Sequence, residues 1–230
     1  LRTLATDESE TTRRILDSVI VVANVTPNPD GRALGSPGNG AGLDLGRDLV
    51  AQSQPETRAV VEALNEWNPM LFLDVSGFGD ETSLRAAPPP TRFTGDGLYH
   101  AWALDIGHAM STAVFGASGF VPETVIDATT DEWPRWDLAG YAAFHGAFSF
   151  TLEIASRDDG AIVVLEAAMR AALAYAAQHR TALVRDQARL LAGGLLRGES
   201  APSSPDGAGA FLIPADLSHQ ADRHEAAALV

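Results

Sequence analysis

The sequence predicts an α/β fold, a mainly parallel or mixed twisted sheet flanked by helices, and three observations carry the prediction. Apolar runs rich in β-branched or aromatic residues occur at 18–25, 70–75 and 147–155. Stretches with apolar residues at helical spacing lie between and after them, at 55–65, 98–115 and 161–196. Long glycine- or proline-rich loops follow the first two runs, at the strand ends where such sheets place a ligand site.

Taken in order, Leu1, Leu4, Ile15 and Leu16 open a helical pattern with no cap signal before it. Residues 18–25 read as a strand buried on both faces, stopped by the turn cluster from Thr26 to Gly31. From Gly31 to Gly46 the chain lacks periodicity and reads as a long loop. Pro55 suits the first turn of the next helix, whose apolar face is Val60, Val61 and Leu64. The second strand ends in Ser76-Gly77-Phe78-Gly79, and a proline-rich loop is expected over 86–94. A helix at 98–115 carries Trp102, Leu104, Ile106 and Met110, and a loop surrounds Trp133-Pro134-Arg135-Trp136. The third strand is followed by two helices expected to meet near His179.

Domain limits follow from composition. Residues 1–197 are expected to form one domain lacking its N-terminal portion, 198–210 a Ser/Pro/Gly linker, and 211–230 the start of a further segment. Phe211-Leu212-Ile213-Pro214 reads as a strand start and Ala226 to Val230 as a helix opening, so both ends read as cut.

Composition narrows the chemistry. The absence of cysteine excludes disulfides, thiolate metal sites and cysteine nucleophiles. A net charge of −14 repels nucleic acid and anionic membrane, so neither is an expected partner. No apolar run is read as approaching the roughly 18 residues of a membrane span. A soluble protein without membrane insertion is expected, its compartment and oligomeric state unassigned.

The loops carry a resemblance. Asn28-Pro29-Asp30-Gly31, Asn39, and Gly42 to Asp48 resemble the asparagine-proline-aspartate-glycine and aspartate-leucine-asparagine-arginine segments of the M14 family of zinc carboxypeptidases. Gln54 to Ala59 resembles that family's proline-glutamate-threonine helix start. Leu73 to Gly77 stands where the family has aspartate-leucine-histidine-glycine, and Ser149 to Glu153 resembles the strand ending in its catalytic glutamate. The motifs keep the family's order over residues 11–195 and are most similar to large bacterial members.

The resemblance implies a metallocarboxypeptidase-like fold, metal-assisted hydrolysis of the last peptide bond, and a cleft with Glu153 at the general-base position. It also implies losses. The family's third metal ligand, a histidine, falls on Ser76, and the His-x-x-Glu pair supplying the other two is absent from the chain. Arg47 matches the substrate-binding arginine, but its asparagine neighbour is Gly46, and an arginine the family often places before Asn39 is Pro37. Thr91 stands where relatives have histidine, and Tyr141 is a candidate for the family's tyrosine. His100, His108, His145, His219 and His224 lack the carboxylate spacing of a zinc motif.

The function expected is a carboxypeptidase-like protein with its zinc site lost, no cofactor, and a cleft that binds a peptide or protein C-terminus. The alternative is an active zinc carboxypeptidase whose remaining ligands lie outside this chain. A purely structural domain is a third reading.

Overall fold

In the computed structural model, residues 1–76, 85–87, 97–121, 138–153 and 159–200 are described. The expected strand at 211–214, the loop at 133–136, Thr91, His219 and His224 lie outside them. The described elements are α1 (Arg2–Thr6), α2 (Glu10–Ser18), α3 (Pro29–Leu34), a 3₁₀ turn (Leu45–Arg47), α4 (Pro55–Trp67), β1 (Leu71–Ser76), β2 (Arg85–Ala87), α5 (Gly97–Ser118), α6 (Leu138–Phe144), β3 (Phe148–Glu153) and α7 (Asp159–Ser200).

The sheet is small and mixed, with strand order β1-β3-β2. β1 and β3 run parallel, with Leu71 opposite Phe148 and Ser76 opposite Glu153. β2 joins β3 antiparallel, with Arg85 opposite Glu153. β3 is therefore central, and its first five residues are buried. Alternation gives this strand two unlike faces. Phe148, Phe150 and Leu152 enter the main core with Tyr99, Ile106, Met110 and Val114 of α5 and Ala168, Ala172, Ala176 and Leu183 of α7. Ser149, Thr151 and Glu153 take the other face. The Tyr99 hydroxyl accepts the Ser149 N–H at 3.1 Å, and the Ser149 hydroxyl donates to the Ala139 carbonyl at 2.6 Å. These bonds satisfy buried polar groups of β3 beyond the short reach of β2.

Several expectations need correction. Residues 19–25 form no strand, and Ile20, Val22 and Val25 are 80%, 54% and 69% exposed. β-propensity alone does not make a strand; a hydrogen-bonding partner must be present, and among the described residues none pairs with this stretch. The N-terminal helical pattern is two helices, broken at Asp7 to Ser9, where the Ser9 hydroxyl accepts the Thr12 N–H and caps α2. The loop after Gly31 contains part of α3 and the 3₁₀ turn. Ala86 and Ala87, assigned to the proline-rich loop, belong to β2.

The two helices expected to meet near His179 are one, α7. No proline interrupts it and no glycine stands between Gly160 and Gly193, so nothing ends the helix there. His179 instead stacks on Tyr175 one turn earlier, with ring centroids 4.3 Å apart. α7 reaches Ser200, past the expected start of the linker; the rest of the linker lies outside the described residues. Its stretch Gly160–Ala192 holds an 18-residue window with a mean hydropathy of 1.5, long and apolar enough to cross a membrane by length and composition. This corrects the expectation that no apolar run approaches that length, although Glu166, Arg170, Arg180, Arg185, Asp186 and Arg189 lie within the stretch. One face of the helix is core, and its polar contacts are specific. Asp186, 2% exposed, accepts from Trp102 Nε1 at 3.1 Å and from Arg185 and Arg189. The Arg185 hydrogen bond is the largest influence holding the Asp186 carboxyl down at about 2. The Gln187 amide donates to the Pro69 carbonyl at 3.0 Å, tying α7 to the entry of β1.

Candidate functional site

The C-terminal ends of β1 and β3 meet at one rim. β3 ends in Glu153 because its alternation turns polar on one face, and parallel register sets Ser76 opposite it. Facing positions share a side of the sheet. That side therefore reads Phe72 beside Ser149, Asp74 beside Thr151, then Ser76 beside Glu153, increasingly polar toward the rim. Glu153 is half-buried. Antiparallel register adds Arg85 on its other side. Arg85 escaped the sequence reading because a strand of three residues gives no period and the prolines after it dominate the local signal.

Arg47 and Gly46 belong to the 3₁₀ turn, in a loop held by three polar side chains. Asn28 caps α3 by accepting the Gly31 N–H at 2.9 Å, and its amide donates to the Pro37 carbonyl at 3.0 Å. Asn39, 5% exposed, accepts the N–H groups of Ala41 and Leu43 at 3.0 and 3.1 Å and donates to Gln54 Oε1 at 2.9 Å. Asp48, 1% exposed, accepts the Ser53 hydroxyl at 2.6 Å, the Gln54 N–H at 2.8 Å and the Ser53 N–H at 2.9 Å. Burial works against its charge, but these bonds outweigh that and hold its carboxyl below the usual carboxylate range. The Gly46 N–H donates to the Asp44 carboxylate at 3.0 Å, which caps the 3₁₀ turn. Arg47 is thus an exposed guanidinium on a loop whose backbone is fixed on both sides.

Tyr141 lies elsewhere on the sheet. It packs with Val60, Phe72 and Leu138 against Leu64, Ala142 and Ala147. Phe72 pairs with Ser149, which is four residues and about 13 Å along the strand from Glu153. The Tyr141 hydroxyl is 3.5 Å from Gln52 Nε2, and its ring lies 4.7 Å from that of His145. Burial raises the Tyr141 pKa and lowers that of His145, so both are neutral at neutral pH. Backbone register therefore sets Ser76 and Arg85 opposite Glu153, while Tyr141 lies beside Gln52 and His145. His100 and His108 both lie on α5, and the Nδ1 of His100 is buried with no hydrogen-bond partner among the described residues.

Among the described residues no group of three or more His, Asp or Glu is arranged to hold a metal ion. The residue types at the rim also suit one poorly: one carboxylate, one neutral hydroxyl and one guanidinium.

No family model and no curated protein matches the sequence. Solved structures do. The chain is similar to a metallo-carboxypeptidase from Pseudomonas aeruginosa, solved in complex with (2-guanidinoethylmercapto)succinic acid. That likeness has 18% identity, covers 79% of this chain and 52% of the other, and gives a TM-score of 0.61. A metallo-carboxypeptidase from Burkholderia cenocepacia is similar at 24% identity over 75% of this chain and 49% of that one, with a TM-score of 0.57. The chain spans about half the length of these structures. The likeness is one of fold: an α/β architecture of the metallo-carboxypeptidase kind, with a small sheet.

Proposed function

We propose that this chain is a carboxypeptidase-like module that holds the C-terminus of a peptide or protein without hydrolysing it. The observation that carries the reading is the register of Ser76 against Glu153 at the sheet's C-terminal rim. A general-base position there is accompanied by a hydroxyl where the resemblance calls for a metal-binding imidazole, and a neutral hydroxyl does not replace that ligand. Glu153 then faces no activated water, and the cleft is left with binding. Arg47 is the receptor for the terminal carboxylate, because a guanidinium can take a carboxylate through two parallel hydrogen bonds. Its loop is pinned by Asn39 and Asp48, so little ordering is needed on binding. Gly46, beside it, offers backbone without a side chain to obstruct the ligand.

Fluorescence anisotropy with a labelled peptide in free-acid and amidated forms tests this reading. The free acid binds and the amide binds at least about tenfold more weakly, and Arg47→Ala removes the difference. Mass spectrometry of the same mixtures finds no shortened peptide, with or without added zinc. Chelator-sensitive release of the last residue would instead establish an active metallocarboxypeptidase. Equal affinity for both peptide forms would end the assignment of Arg47.

A further inference from the structure

In the loop after α3, Asn39 is followed by Gly40. The side-chain amide of an asparagine can be attacked by the backbone nitrogen of the next residue, and a glycine obstructs that attack least. The fold orients the electrophile. Asn39 Oδ1 accepts the N–H groups of Ala41 at 3.0 Å and Leu43 at 3.1 Å. Its Nδ2 donates to Gln54 Oε1 at 2.9 Å and lies 3.4 and 3.5 Å from the two Glu56 carboxylate oxygens. Two backbone donors therefore point at the oxygen that gains negative charge when the amide carbon becomes tetrahedral, as in an oxyanion hole.

The nucleophile is unengaged, since the Gly40 N–H has no hydrogen-bond acceptor among the described residues. A base lies against it. Asp30 Oδ2 is 2.5 Å from the point that a Cβ on Gly40 would occupy, and the same contact keeps this position a glycine. A carboxylate so placed can take a proton directly or through one water. Asn39 is buried, but Gly40 is exposed, so water reaches the reacting pair.

We propose that Asn39-Gly40 is a self-modification site, at which the folded chain deamidates Asn39 to aspartate or isoaspartate. The Gly40 nitrogen gives its proton to Asp30 and bonds to Asn39 Cγ. The Cγ–Nδ2 bond breaks, Nδ2 takes up the proton and leaves as ammonia, and a five-membered imide remains. Water then opens the ring at either carbonyl, so water is the one co-reactant. The new carboxylate has no N–H to give Gln54 and faces Glu56, so repulsion replaces a hydrogen bond. The turn from Asn39 to Leu43 is thereby released.

Peptide mapping by mass spectrometry of the 230-residue chain, incubated at neutral pH, reads the amide-to-acid mass change at Asn39. The folded chain converts several-fold faster than the same chain in urea. Asp30→Ala slows the folded chain by about tenfold or more and leaves the unfolded rate unchanged. Amide exchange at Ala41 and Leu43 accelerates in the converted chain. If Asp30→Ala fails to fold by circular dichroism, the comparison of folded with unfolded chain decides. Slower conversion in the folded chain than in urea overturns the proposal, because the same hydrogen bonds would then be holding Asn39 away from Gly40. Equal folded-state rates with and without Asp30→Ala overturn it too, as does unchanged exchange at Ala41 and Leu43. Peptide binding has no part in these readouts, so the role given to Arg47 stands or falls separately.

Discussion

Asp48 joins the stability of the Arg47 loop to pH in a way that can be measured. Its carboxylate, 1% exposed, accepts three hydrogen bonds, two of them at one oxygen. Asp48→Ala deletes all three and leaves two backbone N–H groups and a hydroxyl without that acceptor. Hydrogen bonds to a charged acceptor contribute about 1.5–3 kcal/mol each, and bonds to one group do not add fully. A loss of about 3–5 kcal/mol is expected, against a total of about 5–15 for a domain. Asp48→Asn is milder. Its amide can turn the remaining oxygen to Ser53 and sacrifice only the Gln54 bond, at about 1–3 kcal/mol. The folded carboxyl titrates below its ordinary value of 3.8. Its stabilisation is therefore fully present above the unfolded pKa and is lost as pH falls through the folded one. Urea denaturation should show a lower midpoint with unchanged slope for Asp48→Asn at neutral pH, and a gap that narrows below about pH 4. A gap of constant size down to about pH 3 would falsify the assignment of the effect to charge.

Other substitutions probe separate parts of the structure. Gly31→Ala sets a methyl group into the Asn28 side chain and 2.5 Å from the Ser36 carbonyl. It should cost about 1–3 kcal/mol, lowering Tm by roughly 2–4 °C for each, as read by calorimetry. Arg170→Met removes the donor that Asp7, Ser9 and Thr12 share, so amide exchange in α2 should accelerate while that in β3 does not. Bonds from Thr12 and Ser9, then from Arg170, hold the Asp7 carboxyl below the usual range. The protection of α2 should accordingly persist as pH falls through the ordinary carboxylate pKa and fade only below it. Gly46→Asn brings a Cβ to 3.3 Å from the flexible Asp44 carboxylate, so Tm should change by no more than a few degrees. A large loss of stability there would show that the glycine is required by the backbone.

Legibility differed by element for identifiable reasons. α4 was readable because Pro55 marks its first turn and Val61 and Leu64 repeat on one face. β1 and β3 were readable because apolar runs of that length, bounded by turns, have few alternatives. Residues 19–25 have the same composition, yet a strand is a property of a pair, and no single segment states its partner. α7 was divided in the reading because a histidine and an arginine at 179 and 180 interrupt an apolar stretch; ring stacking and exposed charge accommodate them without a break. Within the candidate site, Glu153 was legible as a carboxylate ending an apolar strand. Arg85 was not, since only the antiparallel return of three residues sets it opposite Glu153.

The hydrogen bonds of the loop and sheet explain how recognisable motifs can coexist with departures beside them. Three positions depart from the motifs that the sequence resembles: Pro37, Gly46 and Ser76. In the fold each contributes backbone. Pro37 offers its carbonyl to Asn28, Gly46 gives its N–H to Asp44, and Ser76 extends the ladder of β1 with β3. Almost any side chain leaves those backbone contacts in place, so the architecture does not discriminate among residues there. The side chains that hold the loop are Asn28, Asn39 and Asp48, and all three stand within the motifs that carry the resemblance. Replacing Asn39 or Asp48 would leave buried or partly buried donors unpaired at about 1–3 kcal/mol each, whatever the ligand. Fold and chemistry thus depend on different residues of the same segments. This separation lets the segments keep one architecture while the residues beside them vary.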